Sequence, residues 1–142
     1  MCIFCQIIAG EAEASFVHKD AQCVAFMNLR PVNPGEFMVI PRAHIDHFTD
    51  LPDDLAAHIM VVAQRLGRRM QAILSPQRVG YVVHGFGVPH AHLNVVPLTH
   101  PHDIISGKHV QVNGTGFDVT LAGLSSPDRA ALDAMAARLR SP

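Results

Sequence analysis

Val88-Pro89-His90-Ala91-His92-Leu93-Asn94-Val95-Val96-Pro97 is the stretch on which the reading of this chain turns. Polar and apolar residues alternate there, and successive side chains of a β-strand point to opposite faces. His90, His92 and Asn94 are therefore expected on one face, with Ala91, Leu93 and Val95 in a core. Pro89 and Pro97 bracket the run, as suits proline at strand ends. A solvated strand face does not need two imidazoles, which titrate near neutrality. Clustered titratable groups mark sites, so the run reads as a strand and a site at once.

The segments around it supply the rest of a sheet. Residues 2–10 read as a short helix ended by Gly10, with Ile3, Phe4, Ile7 and Ile8 on its apolar side. Residues 16–18 and 23–29 read as strands about a turn at 19–22. The proline- and glycine-bearing stretch 30–35 is a loop, and residues 37–40 form a third strand whose continuous apolar character implies cover on both faces. A long helix follows, with Thr49 or Asp50 as cap, Pro52 in its first turn and Asp53 and Asp54 at the positive end of its dipole. Leu55, Ile59, Val62, Ala63, Leu66 and Met70 keep helical spacing, and the helix stops before Pro76. Residues 78–83 make a fourth strand and the His90 run a fifth. Short strands are expected at 109–112 and 117–121. A last helix spans about 127–139, capped by Ser125 or Ser126. The expected architecture is α+β: an antiparallel sheet of about five strands, one long helix and a C-terminal helix.

Bulk properties set limits on function. A chain of 142 residues, 49% hydrophobic and 16% charged, is one ordinary domain without repeat or linker. The formal charge of −1 offers no footprint for nucleic acid, and no run is long enough to span a membrane. No signal segment opens the chain. Three cysteines, two of them Cys2 and Cys5, argue for a reducing, cytoplasmic setting rather than a disulfide framework.

Three pieces in order carry a resemblance: Cys2-Ile3-Phe4-Cys5-Gln6-Ile7-Ile8-Ala9-Gly10-Glu11, then Asn33-Pro34-Gly35 leading to Val39-Ile40-Pro41-Arg42-Ala43-His44, then the His90 run. Together they resemble the bacterial members of the histidine triad (HIT) family of nucleotide hydrolases and transferases. The likeness covers about residues 2–98, leaving 99–142 as a C-terminal extension of a single HIT domain. It implies that His92 is the nucleophile, forming a nucleotidyl-imidazole intermediate at the α-phosphate of a nucleoside phosphoramidate or dinucleoside polyphosphate. It places His90 and His44 as supporting histidines beside the phosphate, Asn28 at the ribose, and Ile3, Phe4, Ile7 and Phe26 around the base. It also implies a homodimer joined through the long helix and an edge strand.

The third triad position is Asn94, which can donate a hydrogen bond to phosphate but carries no proton at neutral pH. Slow hydrolysis follows, since general acid help is typically worth about 10²–10⁴-fold. Alternatives are a nucleotidyltransferase or phosphorylase, like the branch that reads H-x-H-x-Q, and a nucleotide-binding module without turnover. The family's longer Asn-to-Gly-Gln loop is reduced here to His84-Gly85-Phe86-Gly87-Val88-Pro89, whose glycines suit close backbone approach to a ligand. By resemblance to some bacterial members, Cys2 and Cys5 with His44 and His90 would form a four-ligand structural zinc site. The alternative is a pair of free thiols. Cys23 reads as core. His100 and His102 read either as solvated loop residues or as groups that reach the leaving group.

Overall fold

In a computed structural model of the chain, the His90 run keeps its alternation but becomes strand only at Leu93. The structure describes residues 1–103, 110–119 and 123–140. Five antiparallel strands form the sheet: β1 (Phe16–Lys19), β2 (Cys23–Met27), β3 (Phe37–Pro41), β4 (Arg78–Val82) and β5 (Leu93–Leu98), in the order β1-β2-β3-β5-β4. His90 closes a bend, its N–H bonded to Val88 O, and Ala91 and His92 lead into β5, with Ala91 N–H bonded to Ile45 O. The ladder with β3 starts at Leu93, opposite Val39.

The two faces of the sheet are covered by different helices. α2 (Asp53–Leu74) crosses one face, and α3 (Arg129–Arg140) joins it there. Ile59, Val62, Ala63 and Met70 meet Ala25, Val39, Leu93 and Val95, all buried. Each of the Val, Leu, Ile and Met side chains among them contributes about 1.5–3 kcal/mol by leaving water. α1 (Ile3–Ala9) covers part of the other face, burying Phe4 and Ile7 against Val24, Phe26 and Ile40. β3 thus has a helix on either side, as its apolar run implied. Gly10 ends α1 in the left-handed conformation (φ 80°), its N–H returning to Gln6 and Ile7.

Two caps differ from expectation. Thr49 and Asp50 belong to a separate 3₁₀ turn (Phe48–Asp50), and Pro52 occupies the N-cap of α2 with no side-chain bond. Proline cannot donate an N–H, and here its carbonyl takes the first helical bond, from Ala56 N–H. For α3 the cap is Asp128 rather than Ser125 or Ser126: its carboxylate accepts Ala131 N–H at 2.8 Å. Beyond β5, β6 (Val110–Asn113) and β7 (Gly116–Val119) form a separate antiparallel hairpin. Residues 109 and 120–121 of the expected strands lie outside the described residues. None of the described helices is long and apolar enough to cross a membrane.

Candidate functional site

The cross-strand register lays a row of side chains along the α1 face. Asn94 stands opposite Met38, Met38 opposite Phe26, and Phe26 opposite Phe16. At about 4.8 Å per strand, Asn94 lies roughly 10 Å from Phe26. Above this row opens a cavity of about 380 Å³, within the range of small-ligand sites. His92 and Asn94 line one part of it; Ile3, Phe4, Ile7, Phe26 and Asn28 line the rest. The structure therefore brings together all five candidate nucleotide contacts and two of the four candidate catalytic residues.

His92 is nearly buried, 7% exposed, and held in one tautomer. Its Nδ1 lies 2.7 Å from the carbonyl oxygen of His90. A carbonyl can only accept, so Nδ1 carries a proton and Nε2 is the nitrogen turned to the cavity in the neutral ring. Phe4 packs edge-on to His92 and to His90, with ring centres 5.7 Å away in both cases. Asn94 Oδ1 is buried without a hydrogen-bond partner. Asn28 is partly committed to the protein: its Nδ2 donates to Glu36 at 2.9 Å, and its Oδ1 accepts Arg30 N–H. One amide hydrogen and one lone pair remain for a ligand.

His90 and His44 are placed elsewhere. His90 is fully buried and does not line the cavity, and His44 is exposed in the loop after β3. Both point Nδ1 at the thiols of α1: Cys5 to His44 at 3.3 Å, Cys2 to His90 at 3.5 Å, Cys5 to His90 at 3.8 Å. An ion with Zn–S near 2.3 Å and Zn–N near 2.0–2.1 Å sets tetrahedral sulfur and nitrogen ligands about 3.6 Å apart, which these distances bracket. His90 Nε2 donates to Pro41 O at 2.9 Å, leaving Nδ1 as the lone-pair donor, the usual arrangement behind a metal-bound imidazole. Burial, aided by the charges of His44 and His92, lowers the His90 pKa and favours the neutral ring a metal requires. Burial and the neighbouring Cys2 push the Cys5 thiol up, a repulsion between thiolates that a dication would reverse. The residues present fit a four-ligand zinc site.

The sequence reading missed several cavity residues. Arg129 reaches the cavity from α3, pairing with Glu13 at 3.4 Å and donating to Ser15 Oγ at 2.9 Å. Met38, Leu29 and the 78% exposed Phe86 also line it. Met38 was findable from its register beside Asn94, but nothing in local spacing points to Arg129. Gly85 and Gly87, flanking Phe86, hold φ of 84° and 97°, which glycine adopts without strain. His84 is exposed and packs on Phe86. His100 and His102 stack on each other, exposed and outside the cavity lining.

Comparison with known proteins decides the family. The HIT domain family matches residues 9–101, most of the chain. The chain belongs to the HIT family. An uncharacterized HIT-like protein of Methanocaldococcus jannaschii is 34% identical over 104 residues, covering 68% of this chain and 78% of that one. The adenosine 5'-monophosphoramidase of Schizosaccharomyces pombe is 29% identical over 100 residues, covering 68% and 73%. Among solved structures, a zinc-bound histidine triad family protein of Mycobacterium smegmatis superposes with a TM-score of 0.74 at 26% identity, covering 98% of this chain and 90% of that one. The family match begins after Cys2 and Cys5 and ends before α3, so both the thiols and Arg129 lie outside it.

Proposed function

We propose that this HIT protein is a nucleoside-phosphate hydrolase that cleaves its substrate at the α-phosphate through a nucleotidyl-His92 intermediate. The bond from His92 Nδ1 to His90 O carries the reading, because it orients Nε2 at the wall of a ligand-sized, largely apolar cavity. The base lies over Phe26 and Met38, the ribose beside Asn28, and the α-phosphate between His92 and Asn94. His92 Nε2 bonds to phosphorus as the bond to the leaving group breaks, and the leaving group takes the electron pair. The His90 carbonyl stabilises the imidazolium character that develops. Water then attacks phosphorus and releases the nucleoside monophosphate and free imidazole. The likeness to a phosphoramidase supports this class of substrate.

His90 serves here as a positioning residue through its carbonyl. Its ring, with Cys2, Cys5 and His44, would hold a zinc ion that ties α1 and the His44 loop to the start of β5. Bound zinc supplies structure there and takes no part in the steps above. Exposed Met60 and Val61 on α2, with Tyr81 on the edge strand β4 and Val83 just beyond it, support a homodimer. A one-chain mass by sedimentation would exclude that assembly.

Asn94 favours a second reading, a nucleotidyltransferase or phosphorylase, because no protonated group at that position assists the leaving group. The test is turnover of an adenosine phosphoramidate and a dinucleoside polyphosphate, with and without inorganic phosphate, by the unaltered chain, His92→Ala and Asn94→His. Monophosphate release that disappears in His92→Ala establishes the hydrolase. Product that gains a phosphate establishes the transferase. Nucleotide binding without product from any of the three proteins overturns both in favour of a binding module.

A further inference from the structure

We propose that His18, Asp20 and Cys23, joined by His58, form a second divalent transition-metal site of the Zn²⁺ class, between the β1–β2 turn and α2. It lies on the opposite face of the sheet from the cavity and does not depend on the nucleotide reading.

A bulge builds it. The β1–β2 ladder pairs Phe16 with Phe26 and then His18 with Ala25, one extra residue on β1. Paired residues of a ladder point the same way, and Ala25 belongs to the core beneath α2. The extra residue therefore carries His18 to the same side as Val17 and Ala25, away from Phe16. Bulges re-aim side chains in this way, often beside functional sites.

What His18 meets there is a set of metal-binding atoms. The ligand atoms of His18, Asp20 and Cys23 all lie within 4.8 Å of one another. Asp20 Oδ1 is held by the N–H groups of Gln22 and Cys23, both at 2.8 Å, which fixes the carboxylate. Its Oδ2 receives His18 Nε2 at 2.7 Å, His58 Nε2 of α2 at 2.8 Å and Cys23 Sγ at 3.5 Å. One oxygen with two lone pairs is asked to serve three donors from three parts of the fold. Partial burial by itself raises the Asp20 pKa, but hydrogen bonds from His18, Cys23, His58 and Gln22 outweigh it and hold the carboxyl well below its usual range. The two imidazoles and the carboxylate are 26–33% exposed, open to an entering ion, and Cys23 closes the buried side.

Two nitrogens, a carboxylate oxygen and a sulfur suit zinc, cobalt or nickel better than magnesium or calcium. Tetrahedral Zn–N and Zn–O bonds set their ligand atoms about 3.3 Å apart. The present 2.7 and 2.8 Å contacts are hydrogen bonds, so metal entry withdraws the His18 imidazole from Asp20 by about half an ångström, and His58, which reaches the cluster through Asp20, turns further toward the ion. The imidazoles bind through Nε2 with their protons on Nδ1, and the Cys23 proton passes to solvent. A dication with one carboxylate and one thiolate leaves the site neutral.

The test uses the full chain with Cys2→Ser and Cys5→Ser, which removes the first cluster, titrated with Co²⁺. The expected result is one bound equivalent, with four-coordinate visible absorption and a near-ultraviolet thiolate-to-cobalt band. Cys23→Ser should abolish that band, and His18→Ala with His58→Ala should weaken binding at least about tenfold, the worth of roughly 1.4 kcal/mol. No retained Co²⁺, or Co²⁺ without the band and indifferent to His18→Ala, overturns the proposal. Should the serine variant fail to fold, zinc content decides. A loss of one equivalent from the otherwise unaltered chain on His18→Ala with His58→Ala supports the site, and an unchanged content refutes it.

Discussion

Cys2 and His90 stand 88 residues apart in the chain, yet Sγ and Nδ1 lie 3.5 Å from each other. No hydrogen bond from Cys2 caps α1, which leaves its thiol to His90 and to the neighbouring Cys5. Read as one edge of a zinc tetrahedron, the contact predicts about one equivalent of zinc in addition to any at His18. Cys5→Ser or chelation should lower stability by about 2 kcal/mol or more, roughly 4–8 °C in Tm for a chain of this size. A melting curve indifferent to chelator would leave only a pair of thiols.

Asn94, its Oδ1 buried without a partner, stands at the third position of the proposed triad and supplies no proton there. Asn94→His restores a protonatable group there and should raise monophosphate release about 10²-fold, the low end of general acid assistance. Initial rates on a phosphoramidate measure it directly, and an unchanged rate would place the slow step elsewhere. His102→Ala should leave the same rate unaltered, because His102 stacks on His100 away from the cavity.

Gly67 of α2 lies under the ring of Tyr81, and a methyl group there would collide with the Tyr81 hydroxyl. Gly67→Ala should therefore destabilise the protein although alanine gains about 1 kcal/mol in a helix. In a Tyr81→Ala background the sign should reverse, stabilising by about 0.5–1 kcal/mol. Denaturant melts of the four proteins close the cycle, and additivity would show that the contact carries nothing.

Burial raises the Tyr81 pKa above its ordinary value, against a smaller opposing effect of Arg68. The unfolded chain then loses the phenol proton first. Stability from this group is complete below pH 10 or so and falls as pH climbs through the folded value. Tyr81→Phe should flatten the alkaline limb of a stability–pH profile, and an unchanged slope would remove Tyr81 as its source.

Asp103, 2% exposed, latches the chain after β5. Its Oδ2 accepts Thr99 N–H at 2.7 Å, Asn33 Nδ2 at 2.8 Å and His100 N–H at 3.0 Å. Asp103→Ala strands these donors and should cost about 2–3 kcal/mol, whereas Asp103→Asn keeps an acceptor and should cost less. Equal melting temperatures for the two variants would contradict the latch.

Properties carried by the local backbone were legible in the sequence. The stripe from Leu55 to Met70, the stop at Gly10 and the alternation of Ala91, Leu93 and Val95 with His92 and Asn94 all appear in the fold, because periodicity and φ preference act within a few residues. The resemblance supplied the candidate nucleotide contacts, and the packing of α1 on the row Phe26, Met38 and Asn94 brings them to one cavity. Convergence was decided only by tertiary structure. His90 and His92 belong to one tripeptide, yet one faces the thiols and the other the cavity, and Phe4 of α1 packs edge-on to both rings. The bulge at Val17 and the placement of Arg129 by α3 follow the same rule. Each depends on how distant segments close against one another, and no spacing along the chain encodes that distance.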